Sequence, residues 1–127
     1  MVERLATRGD ELVNFMRAVV LKVDGDRTLT FANDYASELL GYSHAELVGQ
    51  RLELIVPPEG RDEVRQRLDA LRDEDVPEHE IHENVTKSGE RIWVAWSNRL
   101  IQTGKGRGQE LLCVGINLTE EMKHKKQ

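Results

Sequence analysis

The stretch Phe31–Gln50, FANDYASELLGYSHAELVGQ, decides how this chain folds. Its apolar patches are too short and too interrupted for one long helix, so it reads as a strand that ends at Asn33 and breaks into short helical turns. Tyr35, Leu39 and Leu40 cover one side of a first short helix. Gly41 stops it, because glycine adopts a left-handed backbone without a Cβ penalty. Ser43 and Glu46 have the spacing of a capping box, each side chain satisfying an orphan N–H at the start of a second turn. Gly49 ends that turn, and LELIV (52–56), closed by Pro57-Pro58, is one more short apolar piece.

Outward from this stretch the chain is more regular. Upstream, DELVNFMRAVV (10–20) begins with an acidic cap at Asp10 and carries Leu12, Phe15, Met16 and Val19 at helical spacing. It reads as a short amphipathic helix running into a strand. AVVLKVD (18–24) is rich in β-branched residues and leads to Gly25-Asp26, a tight-turn signal. TLTFAN (28–33) alternates, with Leu29 and Phe31 on one face and Thr28 and Thr30 on the other. These two runs read as a hairpin.

Downstream, PEGRDEVRQRLDALRDED (58–75) is the best helix in the chain. Val64, Leu68 and Leu71 form its apolar stripe, and Glu63 and Arg67 sit at the favourable i, i+4 spacing. The surplus of acids over arginines between Glu59 and Glu83 reads as a solvated face, not an ion site. EIHENVTKSGERIWVAWSNRLI (80–101) turns at Lys87-Ser88-Gly89 between two extended runs, and ELLCVGINL (110–118) is a final strand. TEEMKHKKQ (119–127) is polar and helix-prone. The order is helix, two strands, several helices, three strands. That predicts an α+β domain, an antiparallel sheet with helices over one face.

Composition sets limits on function. A chain of 127 residues, 39% hydrophobic and 32% charged, suits one globular domain with a well-solvated surface. A net charge of −5 argues against non-specific nucleic-acid binding, which needs a basic face. No apolar run approaches the roughly 18 residues that suggest a membrane span. The first residues are charged throughout, unlike a signal peptide. The lone Cys113 excludes an internal disulfide, so a reducing, cytoplasmic setting is the expectation.

The chemistry-bearing residues form no catalytic constellation. GKGRG (104–108) lacks phosphate-loop spacing and leads into a strand, so it reads as a hairpin turn. His79 and His82 would point to opposite faces of an extended run, and no Cys or third His stands at ligand spacing, so no metal site is expected. Cys113, in an apolar strand, reads as a small core or pocket-lining residue rather than a nucleophile. No pair of acids sits where burial would push two pKa values apart. The strand RIWVAWSNRLI (91–101) carries the best pocket clue. Alternation places Ile92, Val94, Trp96, Asn98 and Leu100 on one face. Asn98 is then a polar group in an apolar wall, and it needs a partner from backbone, water or ligand.

These residues resemble a PAS domain over nearly the whole chain, from about Val13 to Glu120. VLKVDGDRTLTFANDYASELLGYSHAELVGQ (20–50) is similar to the family's opening hairpin, strand-ending Asn and helix–Gly-Tyr–helix connection. ENVTKSGERIWVAWSNRLI (83–101) is similar to its central hairpin, with a Lys-x-Gly turn and an aromatic strand. VGINLTEEMKHK (114–125) resembles its exit motif, usually Asp-Ile-Thr, an acid and a helix. The resemblance implies a five-stranded antiparallel sheet with a helical clasp around a small-molecule pocket. It also implies a sensory or interaction module for a histidine kinase, cyclase or chemoreceptor, without catalysis of its own. Asn117 stands where the exit motif has Asp; it still caps a helix but forms no ion pair.

On cofactors, the light-sensing subfamily's Asn-Cys-Arg-Phe motif is missing from the clasp. Haem-binding relatives take a His from the long pocket-side helix, and Glu59–Asp75 contains none, leaving only His79 just beyond it. Flavin is left open without support, with Trp96 and Asn98 as the residues that could stack on and bond its ring.

The expected organisation is an N-terminal helix or flank over 1–17, a PAS domain over 18–120, and the start of a signalling helix or linker over 121–127. The expected pocket residues are Leu29, Phe31, Val64, Leu68, Trp96, Asn98 and Cys113. Asn117, Thr119 and Glu120 form the expected signal exit, and Leu12, Phe15, Met16 and Val19 the expected homodimer contact. Two alternatives stand beside the ligand sensor. One is a ligand-free PAS dimerisation module, and the other a small isomerase-like α+β enzyme, which would need a pocket acid of raised pKa.

Overall fold

The computed structural model describes residues 17–74, 78–102 and 109–125. It contains strands β1 (Val19–Val23) and β2 (Leu29–Ala32), helices α1 (Asp34–Leu40) and α2 (His44–Leu47), and 3-10 turns at Leu52–Ile55 and Pro58–Gly60. Helix α3 (Arg61–Glu74), strands β3 (Glu78–Val85), β4 (Arg91–Gln102) and β5 (Gln109–Asn117), and helix α4 (Thr119–Lys125) complete it. The strands form one sheet in the order β2-β1-β5-β4-β3, antiparallel at every step. The first and last strands therefore lie side by side in the centre. The chain from β2 to β3 must pass from one sheet edge to the other, and the helical segments make that crossing over one face.

That face is the core. Val19, Leu21 and Val23 of β1, Ile92, Val94 and Trp96 of β4, and Leu111 and Cys113 of β5 meet Ala36, Leu40, Leu47, Ile55 and Leu68 from the roof. Each fully buried aliphatic side chain of this kind contributes roughly 1.5–3 kcal/mol. Gly115 also faces inward: a Cβ built there would lie 2.6 Å from Val94 Cγ1 and 2.8 Å from the Trp96 ring. The absent side chain lets Trp96 lie across β5.

The opening stretch folds by hydrogen bonds that its residues supply locally. Asn33, fully buried, caps α1 by accepting from Ala36 N at 3.0 Å. The same Oδ1 accepts from Val20 N at 3.0 Å, and Nδ2 donates to Ala18 O at 2.8 Å. One amide thus joins the end of β2, the start of β1 and the first turn of α1. Gly41 closes α1 at φ 81°, and the Ser43–Glu46 capping box opens α2 with both of its bonds present. Beyond α2 the chain runs along the β2 edge, where Leu29 N donates to Gln50 O and Gly49 N to Leu29 O. The clasp thereby covers part of an edge strand that would otherwise expose unpaired backbone.

Two expectations are corrected. Leu29 and Phe31 do not share a face. Leu29 pairs with Val23 and Phe31 with Lys22, so Thr30 is an extra bulged residue that reverses the alternation. Leu29 is buried inward, whereas Phe31 faces outward with the Lys22 ammonium 5.5 Å from its ring centroid. Val19, expected at a dimer contact, is a core residue of β1, 1% exposed and opposite Gly115. Leu12, Phe15 and Met16 lie outside the described residues. In the first hairpin the tight turn falls on Gly25-Asp26 as expected, closed by Arg27 N to Asp24 O at 3.0 Å, and Arg27 follows it at φ 63°. The Asp24 carboxylate makes this turn, accepting from Asp26 N at 2.8 Å and Thr28 N at 3.0 Å.

Elsewhere the sequence and the fold agree. Gly89 takes φ 92° in the β3–β4 turn, which closes through Thr86 N to Glu90 O at 2.9 Å. Arg67 bonds Glu63 across one turn of α3 at 2.7 Å. The Gly-rich segment 103–108 and the side chain of Leu71 lie outside the described parts, though Gln102 and Gln109 pair on either side of that segment.

Candidate functional site

A cleft of about 180 Å³ opens between α3, the 3-10 turns and the inner face of β3, β4 and β5. Of the expected pocket residues, Val64, Leu68, Trp96, Asn98 and Cys113 line it. Helix α3 supplies the first two from one stripe, four residues apart. Trp96 and Asn98 are alternate residues of β4, and Cys113 faces Asn98 directly across the β4–β5 ladder. Leu29 lies in the core away from the cleft, and Phe31 is on the opposite side of the sheet.

The polar atoms of this wall divide sharply. The Trp96 indole N–H donates to Asn84 Oδ1 at 2.8 Å, and Asn84 Nδ2 donates to Ile55 O at 3.0 Å. That relay ties β4 and β3 to the first 3-10 turn and holds the ring still. Asn98, also buried at 9% exposure, is different: its Oδ1 is shielded from solvent yet accepts no hydrogen bond. A buried acceptor without a donor costs about 1–3 kcal/mol. Asn98 is the orphan of the cleft.

The mouth is charged. Glu59, Glu63 and Glu83 line it together with Arg67 and His82. Arg67 is engaged by Glu63 and by Glu80, and His82 Nε2 lies 2.7 Å from that same Glu80 carboxylate. Arg91 bonds Glu59 and approaches Glu83 at 3.8 Å. Its hydrogen bond holds the Glu59 carboxyl below its ordinary value of 4.5. His79 is on the outer face, beside Ser97 Oγ at 3.1 Å, so the histidine nearest in sequence to α3 does not reach the cleft. No group of three metal-ligating side chains occurs among the described residues.

Asn84, His82 and Arg67 line the cleft but were not among the expected pocket residues. The signal for the first two was there: Glu80, His82 and Asn84 alternate along β3 and pair with Trp96, Val94 and Ile92, so a polar row faces an apolar one. Nothing in the sequence indicated that Asn84 would satisfy Trp96 and leave Asn98 alone.

The cleft floor continues into the chain's exit. Asn117 Oδ1 accepts from Thr119 N at 3.1 Å and from Thr119 Oγ1 at 2.6 Å. Thr119 Oγ1 accepts from Trp93 N at 3.1 Å, and Leu118 N donates to Trp93 O at 2.8 Å. The start of α4 is thus fastened to β4 on both sides of one peptide. Glu120 is exposed in the first turn of α4.

An antiparallel sheet of this order, roofed on one face around a small cleft and handing its last strand to an outgoing helix, defines a sensor-type α+β module. The PAS domain family model matches residues 16–120, and the chain belongs to that family. PAS domains are generally sensory, non-enzymatic modules. A search of curated protein sequences finds no match. Among solved structures, a PAS domain from Colwellia psychrerythraea superimposes with a TM-score of 0.82 at 13% identity, covering 91% of this chain and 98% of that one. A PAS domain from a two-component sensor histidine kinase gives 0.75 at 15% identity, covering 92% and 99%. An RNA-binding light-oxygen-voltage receptor gives 0.78 at 19% identity, covering 94% of this chain and 34% of that one. At such identities the likeness is one of fold. No helix among the described residues is long and apolar enough to cross a membrane.

Proposed function

We propose that this domain is a cytoplasmic sensor in which a small molecule held in the cleft biases the β5-to-α4 junction, and through it an effector such as a histidine kinase, cyclase or chemoreceptor. The observation that carries this reading is the orphaned Asn98 acceptor, buried in the wall of a cleft whose floor leads directly to Asn117 and Thr119. Ligand contact at Asn98 acts on Cys113, its ladder partner, and β5 carries the displacement four residues on to Asn117. A ligand that prefers one packing of this ladder shifts the population of α4 arrangements by its differential affinity.

The cleft's size supports a compact ligand. Its volume of about 180 Å³ falls below the ~300–1,000 Å³ usual for drug-sized molecules. A flavin tail would bring its phosphate against Glu59, Glu63 and Glu83, which line the cleft.

The test has two arms. Mass spectra and absorption of the denatured extract of freshly purified protein identify any co-purifying molecule. Hydrogen exchange at residues 115–121, with and without a saturating ligand, reads the coupling. Equal protection in both states would remove the signalling step.

A second reading is favoured by the outer sheet face. Ile81 and Ile116, about half exposed, flank Ala95 in one cross-strand row, an apolar strip suited to a second copy of the chain. Sedimentation that stays monomeric at every concentration would eliminate this homodimer.

A further inference from the structure

We infer, resting on the cleft being a ligand site, that its ligand is a compact, largely apolar molecule with an N–H or O–H donor at its buried end and no negative charge at its outer end. Two independent observations converge on this class.

The inner end specifies a donor. Asn98 Oδ1 is buried and accepts nothing, while the neighbouring polar pair, Trp96 and Asn84, already satisfies itself. Leu52, Ile55, Val64 and Leu68 of the lining offer no donor, the Trp96 N–H is spent on Asn84, and the Cys113 thiol across the ladder is a weak donor that leaves Asn98 Oδ1 unbonded. A ligand that enters with an N–H or O–H offsets the desolvation cost of an unpaired Asn98 acceptor. A ligand without one leaves the acceptor buried and unpaired.

The outer end specifies charge. Glu59, Glu63 and Glu83 line the mouth, and Glu80 stands behind them against Arg67 and His82. The cations there are Arg67, held by Glu63 and Glu80, and Arg91, held by Glu59 with Glu83 nearby. Four carboxylates thus surround two guanidiniums, so the mouth carries a net negative field even when the His82 imidazole is counted as a cation. An incoming carboxylate or phosphate would meet repulsion and find its natural partners engaged, whereas an ammonium or a hydroxyl is accepted.

A matched set of probes on one apolar body separates the two demands: tryptamine, tryptophol and indole-3-acetate, with 1-methyltryptamine lacking the ring N–H. Titration of the isotopically labelled full chain, followed through amide shifts of β4 and β5, gives each affinity. Tryptamine and tryptophol should bind at least about tenfold tighter than indole-3-acetate, a difference of about 1.4 kcal/mol. The gap between tryptamine and indole-3-acetate should narrow as salt is added. 1-Methyltryptamine should lose a similar factor relative to tryptamine. In Asn98→Leu, which keeps the fold by removing an unpaired polar atom, that methylation penalty should vanish. Indole-3-acetate binding as tightly as tryptamine would overturn the charge rule and leave the cleft reading intact. A methylation penalty that persists in Asn98→Leu would overturn the donor assignment. If none of the four probes perturbs the cleft at millimolar concentration, this ligand class and the cleft reading fall together.

Discussion

Two buried asparagines, Asn33 and Asn98, show what separates a satisfied polar group from an unpaired one. Asn33 sits where β2, β1 and α1 converge, and its single amide makes three hydrogen bonds at 2.8–3.0 Å. Asn98 sits in the middle of β4, where its backbone is already spent on the ladder and its side chain faces an open cleft. Around Asn33 the chain ends and restarts, so free backbone groups are at hand. Around Asn98 it does not, and the acceptor stays unpaired. The same residue type is a rivet in one region and an unpaired acceptor in the other.

The contrast is broken most directly at Asn33. Asn33→Ala should destabilise the domain by about 3–5 kcal/mol, because it strips a helix cap and strands a buried N–H and a buried carbonyl. Urea unfolding measures this, and a loss under about 1 kcal/mol would mean that water replaces the amide without penalty.

Next comes the platform beneath Trp96. Gly115→Ala should cost about 1–3 kcal/mol, since the new methyl overlaps Val94 and the indole. The shifted ring should also change the intrinsic fluorescence, and an unchanged spectrum with unchanged stability would place Trp96 elsewhere.

The opposite sign is expected at Asn98. Asn98→Leu should stabilise the ligand-free domain by about 1 kcal/mol, because an unpaired acceptor is replaced by an apolar side chain of similar shape. A destabilised variant in the same urea assay would show that Asn98 has a structural partner after all.

The smallest effect is a pH dependence in the clasp. Lys87 bonds Glu46 at 2.6 Å and, with the Ser43 backbone bond, holds its carboxyl below the ordinary 4.5. A folded-state value below the unfolded one means that this stabilisation is complete above the ordinary carboxylate value. It is lost as pH falls through the depressed folded value. Lys87→Met should therefore be less stable than the wild type at neutral pH, and the two proteins should converge in acid. Parallel stability curves down to the acid limit would exclude the contribution.

Much of the fold was legible because its signals are local. Gly41, the Ser43–Glu46 box and the Lys87–Gly89 turn act through their own backbone within a few residues, and the structure holds each as read. The alternation of β4 likewise placed Ile92, Val94, Trp96 and Asn98 on the inner face, as period-two geometry requires. The misreading of Phe31 has an equally definite cause. A bulge adds one residue to one strand, and only the partner strand reveals it. Val19 failed for a related reason: its helical spacing with Phe15 and Met16 is also compatible with a strand, and pairing with β5 decided the matter.

The sequence by itself determined the order of elements, the breaks in the clasp, the inward row of β4 and the membership of a sensory family, because each is written in neighbouring residues or in their spacing. The tertiary structure alone decided which buried polar groups are satisfied. Asn84 reaches both Trp96 and Ile55, residues 12 and 29 positions away, and Asn98 is left without a donor. Hydrogen-bond satisfaction depends on atoms brought together across the sheet and roof, and distance along the chain carries no record of it.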